Sequence, residues 1–95
     1  MMVIKMFKYI ANSFTTKMIK SNQKIHLTTS QVTTEEVIAH KEECISAVGH
    51  RNIADALGVQ TNRMSIILEK GDILYVVRNN TKDYSKLDCM KIVAS

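Results

Sequence analysis

The sequence contains no proline and no tryptophan, only two cysteines, and none of the motifs of the best-known hydrolases, nucleotide triphosphatases or metalloproteases. Cys44 and Cys89 lie far apart, and no third cysteine completes a zinc or redox set, so we expect two reduced thiols and no metal. The apolar start, MMVIKMFKYI, is interrupted by Lys5 and Lys8 well short of the length of a membrane span or signal segment. We therefore expect no cofactor, no membrane association and a cytoplasmic protein.

Size and charge narrow the class of protein further. The 95 residues are 45% apolar and 23% charged, which is typical of one small globular domain. A chain of this size buries only about 60 to 65% of its unfolded surface, so a second copy would supply useful burial. The net charge of +4 is spread along the chain, which favours a small anionic ligand over duplex nucleic acid. We expect a single domain over residues 1–95 that forms a homodimer or a higher homo-oligomer.

Alternating apolar residues predict the first strands. Residues 6–11 are rich in β-forming side chains and stop at Asn12-Ser13, which are suited to turning or capping, and a short helical turn is expected next. Residues 24–32 alternate in the same way and predict a second strand. Residues 44–48 form either a short buried strand or a closing turn.

Two short helices are predicted from residues that are typical of helix termini. Thr33 and Glu36 match a capping box, in which each side chain bonds the other residue's backbone amide, and they predict a helix over about 34–43. The apolar residues of 50–57 repeat at helical spacing, and Gly58 stands where a left-handed cap would end that helix.

The second half of the chain predicts more strands. Residues 63–69 and 73–78 are β-rich runs around Lys70-Gly71-Asp72, a combination that predicts a hairpin. Residues 79–86 are polar and loop-like, and residues 89–93 predict a last strand. The fold class is therefore α/β, with α+β as the alternative: one mixed sheet of about five strands with two or three short helices.

His50 is the first candidate for a functional side chain. It stands at the predicted start of a helix, beside Gly49 and ahead of Arg51, where unpaired backbone amides and the helix dipole favour an anion such as phosphate. The dipole contributes only about 0.3 to 1 kcal/mol, so affinity would also require cationic side chains. The further donors available along the chain are Arg63, Arg78 and Lys82.

One histidine with several basic residues and no metal set suffices for one kind of chemistry. A ribose phosphodiester can be cut by its own 2′-hydroxyl while a histidine protonates the leaving 5′-oxygen. The ordinary alternative is a local hydrogen bond for His50 in the first helical turn, with Arg63 and Arg78 as surface residues.

Three blocks of the sequence resemble one family. YIANSFTTKMI (9–19), ISAVGH (45–50) and NRMSIILEKGDILYVV (62–77) are similar to the viral ring-nuclease anti-CRISPR family, found in archaeal viruses, phages and mobile elements. That family has N-A-F-S near its start, S-A-I/V-G-H before a helix, then N-R and a strand pair of the form L-E-x-G-D. The resemblance implies a dimeric α/β protein of the host cell cytoplasm that binds cyclic tetra-adenylate and cleaves it without metal.

The resemblance also implies roles for individual residues. His50 matches the general acid of the G-H motif, and Arg63 matches the arginine of N-R. Asn12 matches the asparagine of N-A-F-S, and Thr15 replaces its serine with another hydroxyl. These two side chains would hydrogen-bond the ribose or the base of the ligand.

The C-terminal part departs from the family. Where the family carries an R-x-x-E-G stretch, a helix and a final strand, this chain has RNNTKDYSKLDCMKIVAS, so Lys82 or Arg78 would replace the arginine and the helix is missing. The function predicted is therefore neutralisation of a cyclic nucleotide immune signal, by cleavage or by sequestration. The alternatives are a non-catalytic sponge for a cyclic di- or trinucleotide or a cyclic ADP-ribose signal, and a small protein that binds a host protein or nucleic acid.

Overall fold

A computed structural model describes residues 7–20, 22, 24–79 and 87–95 of the chain. These residues form five strands and two α-helices: β1 (Lys8–Ala11), β2 (Leu27–Val32), α1 (Thr34–His40), β3 (Ile45–Ala47), α2 (Arg51–Leu57), β4 (Ile73–Arg78) and β5 (Asp88–Ala94). Two 3-10 turns, Thr16–Met18 and Lys41–Glu43, follow β1 and α1. The predicted α/β class, with one mixed five-stranded sheet, is confirmed.

The predicted cap at the start of α1 and the predicted cap at the end of α2 are both present. The backbone N–H of Glu36 donates to Oγ1 of Thr33 at 3.1 Å, so Thr33 caps α1. The predicted helix over 34–43 is α-helical to His40 and then tightens into the 3-10 turn. Gly58 has φ of 71° and caps α2 in the left-handed conformation that glycine adopts without strain.

The sheet has the strand order β2-β5-β4-β1-β3. β1 lies between two parallel neighbours, with Tyr9 opposite Ile45 of β3 and Leu74 of β4. β5 runs antiparallel to both β4 and β2. The strands β1, β2, β3 and β4 therefore all point the same way, and their carboxyl ends meet at one edge of the sheet.

The predicted hairpin between residues 63–69 and 73–78 is wrong. Residues 62–67 are irregular, and Leu68 forms only an isolated parallel bridge with Ile19. β4 is buried on both faces and already has β1 and β5 as neighbours, so no position remains for a hairpin partner. The apolar alternation of 63–69 instead reflects Ile66, which is buried against the sheet together with Leu68.

The sheet separates two apolar clusters. On one face, α1 and α2 cover a cluster that includes Ile10 and Tyr75, and we call this the helix-covered face. On the opposite face, a cluster that includes Ala11 and Val76 is covered in part by the loops after β1 and before β4, and we call this the loop-covered face.

Candidate functional site

The candidate site lies at the carboxyl ends of β1 and β3. After β1 the chain turns onto the loop-covered face, where Phe14 and Met18 pack, whereas after β3 it turns onto the helix-covered face, where α2 packs. Chains that leave neighbouring parallel strands toward opposite faces open a crevice at that edge, the usual place for a ligand in α/β proteins.

Asn12 and Gly49 join the two sides of this crevice. The backbone N–H of Gly49 donates to Oδ1 of Asn12 at 3.0 Å, which ties the loop after β1 to the loop after β3. The Gly49 amide is thereby occupied, and the Nδ2 amide of Asn12 is the donor that this pair can offer to a ligand. A Cβ at Gly49 would lie 3.5 Å from Cγ of Arg63, so all three residues lie close together.

Arg63 is positioned by the residues that precede it. Asn62 donates from its backbone N–H to the Val48 carbonyl at 2.9 Å and from its side chain to the Ser46 carbonyl at 2.9 Å. Ser46 in turn donates from its hydroxyl to the Gln60 carbonyl at 2.6 Å. These bonds fasten the irregular segment along the outer edge of β3, so that Arg63 follows at the mouth of the crevice.

A cavity of about 360 Å³ occupies the crevice. It is lined by Ala11, Asn12, Ser13, Met18, Ala47, Gly49, Arg63, Met64, Ser65 and Ile66, and we call it the Arg63 cavity. Among the described residues that line it, Arg63 is the one charged side chain. A cation without a neighbouring carboxylate is suited to an anionic ligand such as phosphate.

The structure brings three of the predicted site residues, Asn12, Gly49 and Arg63, to this one cavity. His50 follows Gly49 directly and is the N-cap residue of α2, with its carbonyl accepting from the Ala54 N–H at 3.0 Å. Its side chain is exposed and does not cap the helix. His50 therefore adjoins the cavity through its chain neighbour Gly49, but it is not one of the residues that line the cavity.

The remaining predicted residues lie elsewhere. The Arg51 side chain is 86% exposed in the first turn of α2, and its Nε lies 3.9 Å from a carboxylate oxygen of Asp55. Thr15 is exposed at the start of the first 3-10 turn. Arg78 ends β4 and lines a different cavity on the same face. Lys82 lies outside the described residues.

Sequence reasoning missed several residues of the site. Ser13, Ser65 and Met64 line the Arg63 cavity, and Asn62 and Ser46 hold its outer wall. The signal for Asn62 was present in the N-R pair of the third block, where only the arginine was assigned a role. Ser65 and Met64 carried no signal, because residues 63–69 resembled an ordinary strand.

The described residues were compared with the requirements of a metal site and of a membrane-spanning helix. Within residues 7–20, 22, 24–79 and 87–95, no three His, Cys, Asp or Glu side chains lie together as a metal site would require. In the same residues no helix is both long enough and apolar enough to cross a membrane. Cys44 and Cys89 are free thiols.

Comparison with known proteins gives a match at the level of the fold. No protein-family model and no curated protein sequence matches the chain. Among solved structures, the chain is similar to B116 of Sulfolobus turreted icosahedral virus, with a TM-score of 0.75 and 17% identity over 92% of this chain and 98% of that chain. The chain therefore shares its overall fold with a virus protein.

Proposed function

We propose that this chain is a viral or mobile-element protein that binds a cyclic nucleotide second messenger of host immunity in the host cell cytoplasm and neutralises it. The observation that carries the proposal is the Arg63 cavity, in which Asn12, Gly49 and Arg63 converge beside His50. Cyclic tetra-adenylate is the first ligand to test, since the sequence resembles the viral ring-nuclease family. The fold shared with a virus protein supports the proposed origin.

Binding would depend on one phosphate of the ligand in the Arg63 cavity. The Arg63 guanidinium would form charge-assisted hydrogen bonds with the phosphate, each contributing about 1.5 to 3 kcal/mol when shielded from water. Asn12 would add a neutral donor.

A homodimer is part of the proposal. A cyclic tetranucleotide has internal two-fold symmetry, so two identical subunits around a shared axis would enclose it with equivalent contacts. Two Arg63 cavities would then bind equivalent phosphates of the ring, which a single subunit could contact only on one side.

Cleavage is the second candidate function, and the position of His50 directly after Gly49 favours it. The ribose 2′-hydroxyl would attack the adjacent phosphorus and release its proton to water, and the bond from phosphorus to the 5′-oxygen would break. A protonated His50 imidazole would donate its proton to that 5′-oxygen, leaving a 2′,3′-cyclic phosphate. General acid help of this kind contributes about 10²- to 10⁴-fold in rate.

The test is incubation with a panel of cyclic di-, tri- and tetranucleotides and cyclic ADP-ribose isomers, analysed by chromatography before and after heat denaturation of the protein. We expect cyclic tetra-adenylate either to shorten to linear products or to disappear from solution and return intact on heating. A panel that stays free throughout would contradict the proposal and would favour a protein that binds a host protein or nucleic acid.

A histidine variant separates cleavage from capture. His50→Ala should abolish products while retaining binding if the protein is an enzyme, and it should weaken capture without any product if it is a sponge. The matched control is His26→Ala, since His26 is also exposed but precedes the amino end of β2, at the opposite edge of the sheet. Equal behaviour of the two variants and the unmodified protein would remove His50 from the site.

A further inference from the structure

A second cavity of about 340 Å³ lies on the loop-covered face. It is lined by Thr29, Ser30, Gln31, Val76, Arg78, Asp88, Cys89 and Met90, which belong to β2, β4 and β5, and we call it the Arg78 cavity. Gln31 lies near the carboxyl end of β2, Arg78 ends β4, and Asp88 begins the antiparallel β5. The cavity is therefore at the same edge of the sheet as the Arg63 cavity.

The two cavities are neighbours. Val76, which lines the Arg78 cavity, is paired with Ala11, which lines the Arg63 cavity. Both side chains belong to the apolar cluster of the loop-covered face. Adjacent strands are about 4.8 Å apart, so one ligand larger than a phosphate is long enough to contact both cavities.

The two cavities differ in chemistry. The described residues of the Arg63 cavity provide a cation and no carboxylate, which suits phosphate. The Arg78 cavity combines a cation with the carboxylate of Asp88, the amide of Gln31 and the apolar side chains of Val76 and Met90. A carboxylate disfavours phosphate but accepts from an exocyclic amine, a Gln amide pairs with the edge of adenine, and apolar side chains suit a flat base.

We infer that the Arg78 cavity holds a nucleobase with an exocyclic amino group, from the same ligand whose phosphate occupies the Arg63 cavity. This inference rests on the proposed function, and it adds a base-specific contact to it. Gln31 recognises the base edge, the half-buried Met90 contacts its face, and the loop-covered surface between the cavities holds the connecting ribose.

A substitution that fills the Arg78 cavity with a large side chain tests the inference. Thr29→Trp places an indole in the Arg78 cavity, and Thr28→Trp is the matched control, because Thr28 is equally an exposed residue of β2 but pairs with Val93 and faces away. We expect Thr29→Trp to weaken binding of cyclic tetra-adenylate at least tenfold by titration calorimetry and Thr28→Trp to change it less than twofold. Binding of inorganic phosphate should be the same in both.

A second variant tests base recognition without filling the cavity. Gln31→Leu keeps the side-chain size and removes the amide, so the preference for cyclic tetra-adenylate over cyclic tetra-uridylate should fall about tenfold, the value of one bidentate base contact. If the unmodified protein binds neither ring, the proposed function fails and this inference with it. If it binds but Thr29→Trp matches Thr28→Trp, or Gln31→Leu keeps the preference, only the base cavity is overturned.

Discussion

On the helix-covered face, Val37 of α1 and Leu57 of α2 close over Ile10 and Tyr75, and each of these four residues is at most 1% exposed. On the loop-covered face, the residues that the structure describes form no such layer over the whole width. The loops that contain Met18 and Ile66 cover its part over β1 and β3, and both cavities open at the carboxyl edge.

This difference separates the residues that stabilise the fold from those that are available to a ligand. Close packing on the helix-covered face stabilises the fold, since buried apolar area is the dominant favourable contribution to folding. Irregular loops on the other face leave space and polar groups at the surface, where binding residues usually lie. Substitutions on the first face should change stability, and substitutions at the cavities should change ligand affinity.

The largest effect is expected in the helix-covered core. Leu57→Ala should lower the free energy of unfolding by about 3 kcal/mol, because it removes buried methyl groups and leaves a hole under α2. Urea unfolding measures this. Leu57→Met conserves volume and should cost less than about 1.5 kcal/mol. An equal loss in both variants would contradict close packing at this position.

A smaller effect, on binding and not on stability, is expected at the Arg63 cavity. Arg63→Ala should weaken binding of cyclic tetra-adenylate by about 10- to 100-fold, the loss of one charge-assisted contact, with unfolding unchanged within about 0.5 kcal/mol. The control is Lys70→Ala, since Lys70 is an exposed cation in the turn before the amino end of β4. Equal weakening by both would show general charge attraction in place of a site.

The cap of α1 gives a third test, again on the helix-covered face. Thr33→Ala should lower the free energy of unfolding by about 1 kcal/mol, because the Glu36 N–H loses its acceptor. Thr33→Ser keeps the hydroxyl and should stay close to the unmodified protein. Ligand affinity should be the same in all three proteins, and a change in it would show that the two faces are coupled.

The smallest effect concerns an exposed ion pair that ties β1 to the turn after α1. Nζ of Lys8 donates to Oε2 of Glu43 at 2.7 Å, and this bond, with help from His40, lowers the pKa of Glu43 below its usual 4.5. A lowered pKa stabilises the fold above pH 4.5, and this contribution is lost as the pH falls through the folded-state value.

Lys8→Gln should therefore flatten the acid limb of the stability curve. Urea midpoints between pH 7 and pH 3 should fall less steeply in the variant than in the unmodified protein, and added salt should reduce the difference. Lys70→Gln removes an exposed lysine outside the ion pairs that the structure describes and serves as the control for general charge removal. Parallel acid limbs for Lys8→Gln and the unmodified protein would refute a role for this pair.

The parts of the fold that the sequence predicted are those with local causes. Thr33 and Gly58 mark helix ends through bonds to residues three or four positions away, so both positions were readable. The hairpin over 63–78 was wrong because strand pairing depends on distant residues: β4 pairs with β1 and β5. Alternation shows that a segment is half-buried, but it does not show its partner.

The residues of the candidate site also differ in how well the sequence predicted their positions. Asn12, Gly49 and Arg63 were predicted from separate blocks of the sequence, and the structure places them together. Arg78 was expected to bind a phosphate of the same ligand, but it lines the neighbouring cavity. The reason is that Arg78 belongs to β4, where Val76 lies beside Ala11 of β1. The roles of all these residues in binding remain predictions.

The strand order has a consequence for the rate of folding. β1 is flanked by strands that come much later in the chain, and among the described strands β2 pairs only with β5, with Leu27 opposite Ala94. Only β4 and β5 are neighbours both in sequence and in the sheet. Long loops must therefore close before most of the hydrogen bonds between strands can form. Such a sheet is typical of domains that fold in milliseconds to seconds. Among the described strands β2 has no partner until β5 has been synthesised, so the five-stranded sheet cannot be completed before residue 94 has left the ribosome.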